Sequence, residues 1–297
     1  MEGRLYFGFQ TLGLTNLQSY NAIKGLLDSL EATINSIESR GLVSVDVAEN
    51  WVEEKISGKD FWEVIATVLN SQELGLVSKD IYDRLLNSRI KKGLDFKNIA
   101  VNLNNNPDIT KNSFYGVLKT NTDWLGVYAD YQVSDLQELN DFYEYFLREH
   151  PVSEQSFVDR AKKYFLNLDW SNDIAITMRS HGKSSSQASY GQAPTIGICG
   201  FSYGVFDTLK TLNDIDLSNK STQAILGEIA ASSGFQCTAQ GGNKSHLRFD
   251  NINCEFHVKI HTNNTNDGVY YQDRVYFGFA PTCDSRRIYV AHSGQHL

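Results

Sequence analysis

The sequence predicts an α+β protein. It divides into a mainly helical N-terminal region over residues 1–175, a linking segment over 176–220, and a small unit over 221–297 built of one helix and an antiparallel β-sheet. Three observations carry this. Apolar residues recur at steps of three and four through most of the first 170 positions. After Gly234 the apolar period changes to two. Turns rich in Gly, Asn and Asp then separate four strand-like runs.

The helical pattern is clearest over 17–37, where Leu17, Tyr20, Ile23, Leu26, Leu27, Leu30, Ile34 and Ile37 share a face and Gly41 supplies a stop. Asp60 and Glu63 have capping-box spacing ahead of Val64, Ile65, Val68 and Leu69. Ser78 is placed to cap a helix carrying Ile81, Leu85 and Leu86, and Ser134 with Gln137 to open one carrying Leu139, Phe142, Tyr143 and Leu147. Pro151 ends that helix and Ser153 opens the next. The stretches 101–113 and 180–192 read as loops, TIGIC at 195–199 as a strand, and 203–213 and 222–233 as helices. RLYFGF at 4–9 nearly repeats as RVYFGF at 274–279, so 4–9 also reads as a strand, able to join a sheet far along the chain.

Composition sets the class. With 41% hydrophobic and 21% charged residues, the 297-residue chain is ordinary for a globular protein. No apolar run approaches the roughly 18 residues that span a bilayer, and the start has no secretory pattern. The expectation is a protein without a membrane partner. Four cysteines without a CxxC pair point to a reducing cytoplasm. The net charge of −8 argues against indiscriminate nucleic-acid binding. That charge is uneven: residues 240–297 hold six Lys/Arg and five Asp/Glu, +1, which leaves −9 on the rest. The acidic helical part is therefore expected to dock a protein partner or restrain the basic face.

The strand-like runs lie around 245–249, 254–261, 274–279 and 287–292. Side chains alternate along a strand. Phe256, Val258 and Ile260 oppose Glu255, His257, Lys259 and His261; Val275, Phe277 and Phe279 oppose Arg274 and Tyr276. Ile288 and Val290 oppose Arg287 and Tyr289, and Leu247 and Phe249 oppose His246 and Arg248. A polar outer face is ordinary for a half-exposed sheet, but five of the seven histidines fall within 246–296. Histidine exchanges protons near neutral pH, and Lys and Arg neutralise phosphate. Metal-free RNA cleavage needs a base, an acid and cations. The candidate catalytic residues are His257, Lys259, Arg274, His292 and His296, and the candidate binding residues are His246, Arg248, Tyr276 and Arg287. No cofactor is called for. The competing use of these residues is zinc, through Cys254-x2-His257 and His292-x3-His296.

The stretch QAILGEIAASSGFQCTAQGGNKSHLRF followed by HVKIH resembles the HicA type of mRNA interferase, with His246 at that family's catalytic histidine and Lys244 where the family has Gly. DRVYFGF and RIYVAHSGQHL resemble the late strands of RelE/HigB-like toxins, which brings forward Lys259, Arg274 and His292. Each covers a quarter of the chain. The tail from Cys254 to Leu297 is also similar to the ending of a set of bacterial defence-associated proteins. Together these imply a cytoplasmic bacterial antiphage or toxin-like protein whose C-terminal unit binds and cleaves RNA. The alternative is a non-enzymatic subunit of a defence complex that binds protein or nucleic acid. A third reading is a serine hydrolase. Gly200-Phe201-Ser202-Tyr203-Gly204 fits the GxSxG pattern, in the strand-then-helix context that motif requires.

Overall fold

The computed structural model describes residues 2–12, 19–39, 41–53, 55–56, 58–104, 113–119, 132–149, 151–182, 197–241, 247–260, 273–281 and 286–297. It contains both helices and sheets, in two compact units, Met1–Glu144 and Tyr145–Leu297.

The first unit opens with β1 (Glu2–Phe7) and α1 (Tyr20–Glu38). Ser19 caps α1 by accepting from the Ala22 amide (3.3 Å), and Ile23, Leu27, Leu30, Ile34 and Ile37 form its buried stripe. Next come β2 (Val43–Ala48), the ribbon β3 (Lys55–Ile56) and β4 (Lys59–Asp60), α2 (Phe61–Ala66) and α3 (Ser71–Asp80). They are followed by β5 (Ile90–Lys91), α4 (Phe96–Asn104), β6 (Ser113–Leu118), β7 (Gln132–Val133) and α5 (Leu136–Glu149), whose residues from Tyr145 on belong to the second unit. Among the described residues five strands form one sheet in the order β5-β2-β1-β6-β7, every pair parallel.

The expected helices are present, but the region also holds this parallel sheet, which the sequence pattern did not predict. Strands of a parallel sheet are covered on both faces, so β2 (VSVDVA) is buried almost throughout and lacks the alternation that marks a half-exposed strand. β5 and β7 have two residues each, too few to show any period. β1 is a strand, as the repeat suggested, but it pairs with β2 and β6 inside this unit.

Two caps also differ. Ser78 lies inside α3 and donates to the Leu74 carbonyl (2.6 Å). The cap is Asn70, which forms a box with Glu73, and the helix continues as a π-helical turn over Ile81–Leu86. Ser134 bonds Glu138, not Gln137. Asp60 and Glu63 form the expected box.

The second unit contains α6 (Glu154–Tyr164), β8 (Leu168–Trp170), α7 (Ile174–Met178), α8 (Ser202–Asp214) and α9 (Thr222–Ser233). Its remaining strands are β9 (Cys237–Ala239), β10 (Arg248–Phe249), β11 (Ile252–Asn253), β12 (Phe256–Ile260), β13 (Asp273–Pro281) and β14 (Arg286–Gln295). Ser153 caps α6 and Gly234 ends α9 in the left-handed region (φ 74°), both as expected. The sheet order is β8-β14-β13-β12-β9; β8 joins parallel to β14 and the other pairs are antiparallel. Segments read as scaffold and linker (α6, β8, α7 and α8) thus belong to the same compact unit as the C-terminal sheet. β10 and β11 form a separate hairpin whose Phe249 and Ile252 pack on Cys254, Ala280, Tyr289 and Ala291.

Candidate functional site

Pairing of β12 with β13 sets Lys259 opposite Arg274, His257 opposite Tyr276 and Val258 opposite Val275. β14 then sets His292 opposite Tyr276 and Gly294 opposite Arg274. By alternation His257, Lys259, Arg274, Tyr276 and His292 share one face. Ile260 lies on the other, against α8, where a Cβ on Gly204 would meet its Cγ2.

On the first face Arg274 is the hub. Its Nη1 donates to Gln240 Oε1 (3.0 Å) and lies 3.2 Å from His257 Nε2 and 3.5 Å from the Tyr276 hydroxyl. A guanidinium can only donate, so His257 Nε2 accepts and the ring proton belongs on Nδ1. Thr238 Oγ1 is 3.1 Å from the same nitrogen, and Lys259 Nζ donates to Gln236 Oε1 (3.1 Å). The Tyr276 ring stands between His257 (centroids 5.2 Å) and His292 (5.6 Å), and its hydroxyl accepts from the Leu297 amide (3.3 Å). His292 Nε2 donates to the Gln295 carbonyl (2.8 Å).

This face was expected to be solvated, but its centre is not. His257 is 2% exposed, Tyr276 0% and His292 6%, whereas Lys259, Arg274 and His296 are half-buried. Burial, then the Arg274, Lys259 and His296 charges, push the His257 pKa down to about 3. Burial pushes His292 down to about 4, opposed by its bond to the Gln295 carbonyl. Both rings are neutral at neutral pH.

The other sequence candidates do not join this cluster. His246 and His261 lie outside the described residues, as do 105–112 and 183–192 of the stretches 101–113 and 180–192 that the sequence reads as loops. Exposed Arg248 donates to Asn251 O within its own hairpin (3.4 Å). Arg287, near the start of β14, donates to Leu166 O (2.8 Å) and pairs with Asp169 (3.2 Å). Cys254 is buried, and that burial pushes its thiol up to about 12. Among the described residues no group of three His, Cys, Asp or Glu is placed to hold a metal.

The GxSxG reading of Ser202 is corrected. Residues 198–200 form a 3₁₀ turn where the motif needs a strand, and Ser202 opens α8 with its hydroxyl donating to Arg148 O (2.6 Å).

No family model, curated protein or solved structure matches the chain.

Sequence reasoning missed a second polar cluster, on the helix-covered face of the same sheet. Asp273 and Ser293 occupy strand positions in phase with Ile260 and Val275, where apolar residues are expected, and both are fully buried beside His181. Polar residues on the apolar phase of a strand are the signal that marks them.

Proposed function

We propose that the second unit binds RNA through its phosphodiester backbone at the Lys259–Arg274 pair, in the bacterial defence or toxin-like setting that the tail's resemblance implies. The observation that carries this is the pairing of two cations directly across β12 and β13 on one face. Like charges so placed repel, and a phosphate between them turns repulsion into two charge-assisted bonds. Gln240, Thr238 and neutral His257 surround the pair with uncharged donors and acceptors suited to ribose hydroxyls. The remainder of the chain, with its surplus of acid groups, is the part proposed to meet a protein partner.

The depressed pKa values of buried His257 and His292 favour binding over cleavage by these two rings. Cleavage needs an acid for the departing 5′-oxygen, and His257 at about 3 and His292 at about 4 are both deprotonated at pH 7. The test is fluorescence polarisation with a single-stranded RNA at several salt concentrations. Wild type should bind with affinity falling as salt rises. Replacing both Lys259 and Arg274 by Ala should lower the slope of log K against log salt by about 0.7, for the one phosphate held between them. An unchanged slope would overturn the proposal. RNA shortened on a denaturing gel by wild type, and not by His257→Ala, would restore the ribonuclease reading.

A further inference from the structure

We infer that Ser293 is a nucleophile activated by His181 and Asp273, and that the second unit hydrolyses carboxylic esters or thioesters. Ser293 Oγ is 2.9 Å from His181 Nε2, and His181 Nδ1 is 3.6 Å from Asp273 Oδ1. A proton on Nδ1 faces the carboxylate and leaves Nε2 to accept from the serine hydroxyl. That is the order of nucleophile, base and orienting acid that acyl transfer requires. The Nδ1–Oδ1 separation is of ion-pair length and longer than a hydrogen bond, as catalytic contacts often are before substrate binds.

The surroundings hold this line in place from several directions. Thr177 and Ser180, on and just after α7, accept from the amides of Ser293 (3.1 Å) and Gln295 (2.9 Å), which clamps the α7 turn onto β14. The clamp is close enough that a Cβ on Gly294 (φ 149°) would run into Ser180 Oγ and the Thr177 carbonyl oxygen. The Gly182 amide points at both Asp273 oxygens (3.3 and 3.4 Å). The His181 ring is stacked on Phe201 (centroids 4.9 Å, planes 21° apart). All three groups are 0% exposed, while Gln295, two residues along the same strand, is exposed.

In the reaction, Ser293 Oγ bonds to the acyl carbon while its proton passes to His181 Nε2. The alcohol or thiol then leaves with that proton. Water, deprotonated by His181, cleaves the acyl-serine and returns the hydroxyl. The relay lies on the opposite sheet face from Lys259 and Arg274, so this inference does not depend on RNA binding.

The test uses the full chain with a fluorophosphonate probe and a small aryl ester. A covalent adduct should map to Ser293 by peptide mass spectrometry. It should vanish in Ser293→Ala and form at least tenfold more slowly in His181→Gln, with folding checked by circular dichroism. If His181→Gln fails to fold, Asp273→Asn keeps an acceptor for Gly182 and should still slow labelling. Ser202→Ala should label normally. No adduct at Ser293 in the folded wild type, or a rate unaffected in a folded His181→Gln or Asp273→Asn, would overturn the inference.

Discussion

Lys259 and Arg274 face each other directly across β12 and β13. Cross-strand pairs of like charge cost stability, and pairs of opposite charge contribute roughly 0.2–1 kcal/mol. Lys259→Glu should therefore raise the midpoint of urea unfolding while weakening RNA binding. A variant that is both more stable and weaker in binding identifies the pair as kept for function. A drop in stability would show that the cations are compensated within the fold.

The buried histidines make acid stability a second readout. His257 and His292 have folded pKa values of about 3 and about 4, below the ordinary 6.5. The unfolded chain therefore takes up protons below pH 6.5 that the folded chain refuses, and stability falls as pH drops from 6.5 toward 4. The slope is up to about 1.4 kcal/mol per pH unit for each ring. His257→Gln, which keeps an acceptor for Arg274, should flatten the pH dependence of the melting temperature in this window. A slope equal to wild type would refute the burial of a neutral ring.

Gly294 shows why a residue of the tail matters to packing. Alanine there would collide with Ser180 Oγ and the Thr177 carbonyl and occupy a φ of 149° that side chains rarely adopt. Gly294→Ala should cost on the order of 1–3 kcal/mol by denaturant titration. Gly241→Ala, with open space around its Cβ, is the control and should be near neutral.

Legibility followed the local chemistry of each segment. α9 with its Gly234 stop, and β12, β13 and β14, were readable because a half-buried helix and antiparallel strands each show one apolar face. The parallel sheet was not, since strands covered on both faces hide their period. The convergence of His257, Arg274 and Tyr276 follows from alternation plus register. Their burial does not, because it depends on what covers the face, including the Leu297 amide bonded to the Tyr276 hydroxyl. The Ser293–His181 contact joins positions 112 apart, and no local pattern relates residues at that separation.

Asp46 yields a prediction in the first unit that runs against intuition. It is 1% exposed, with Arg4 at 3.6 Å and Lys91 at 3.5 Å. Burial raises its pKa above the ordinary value despite both cations. Ionised Asp46 is therefore less favourable in the folded chain than in the unfolded one. Its contribution falls as pH rises from 3.8 through the folded pKa and stays low above it. Asparagine has nearly the same shape without the charge, so Asp46→Asn should unfold at a higher urea concentration than wild type at pH 7. The two should converge below pH 3.8, where wild-type Asp46 is itself neutral. A variant less stable at pH 7 would mean that the Arg4 and Lys91 pairs outweigh the cost of burying the carboxylate.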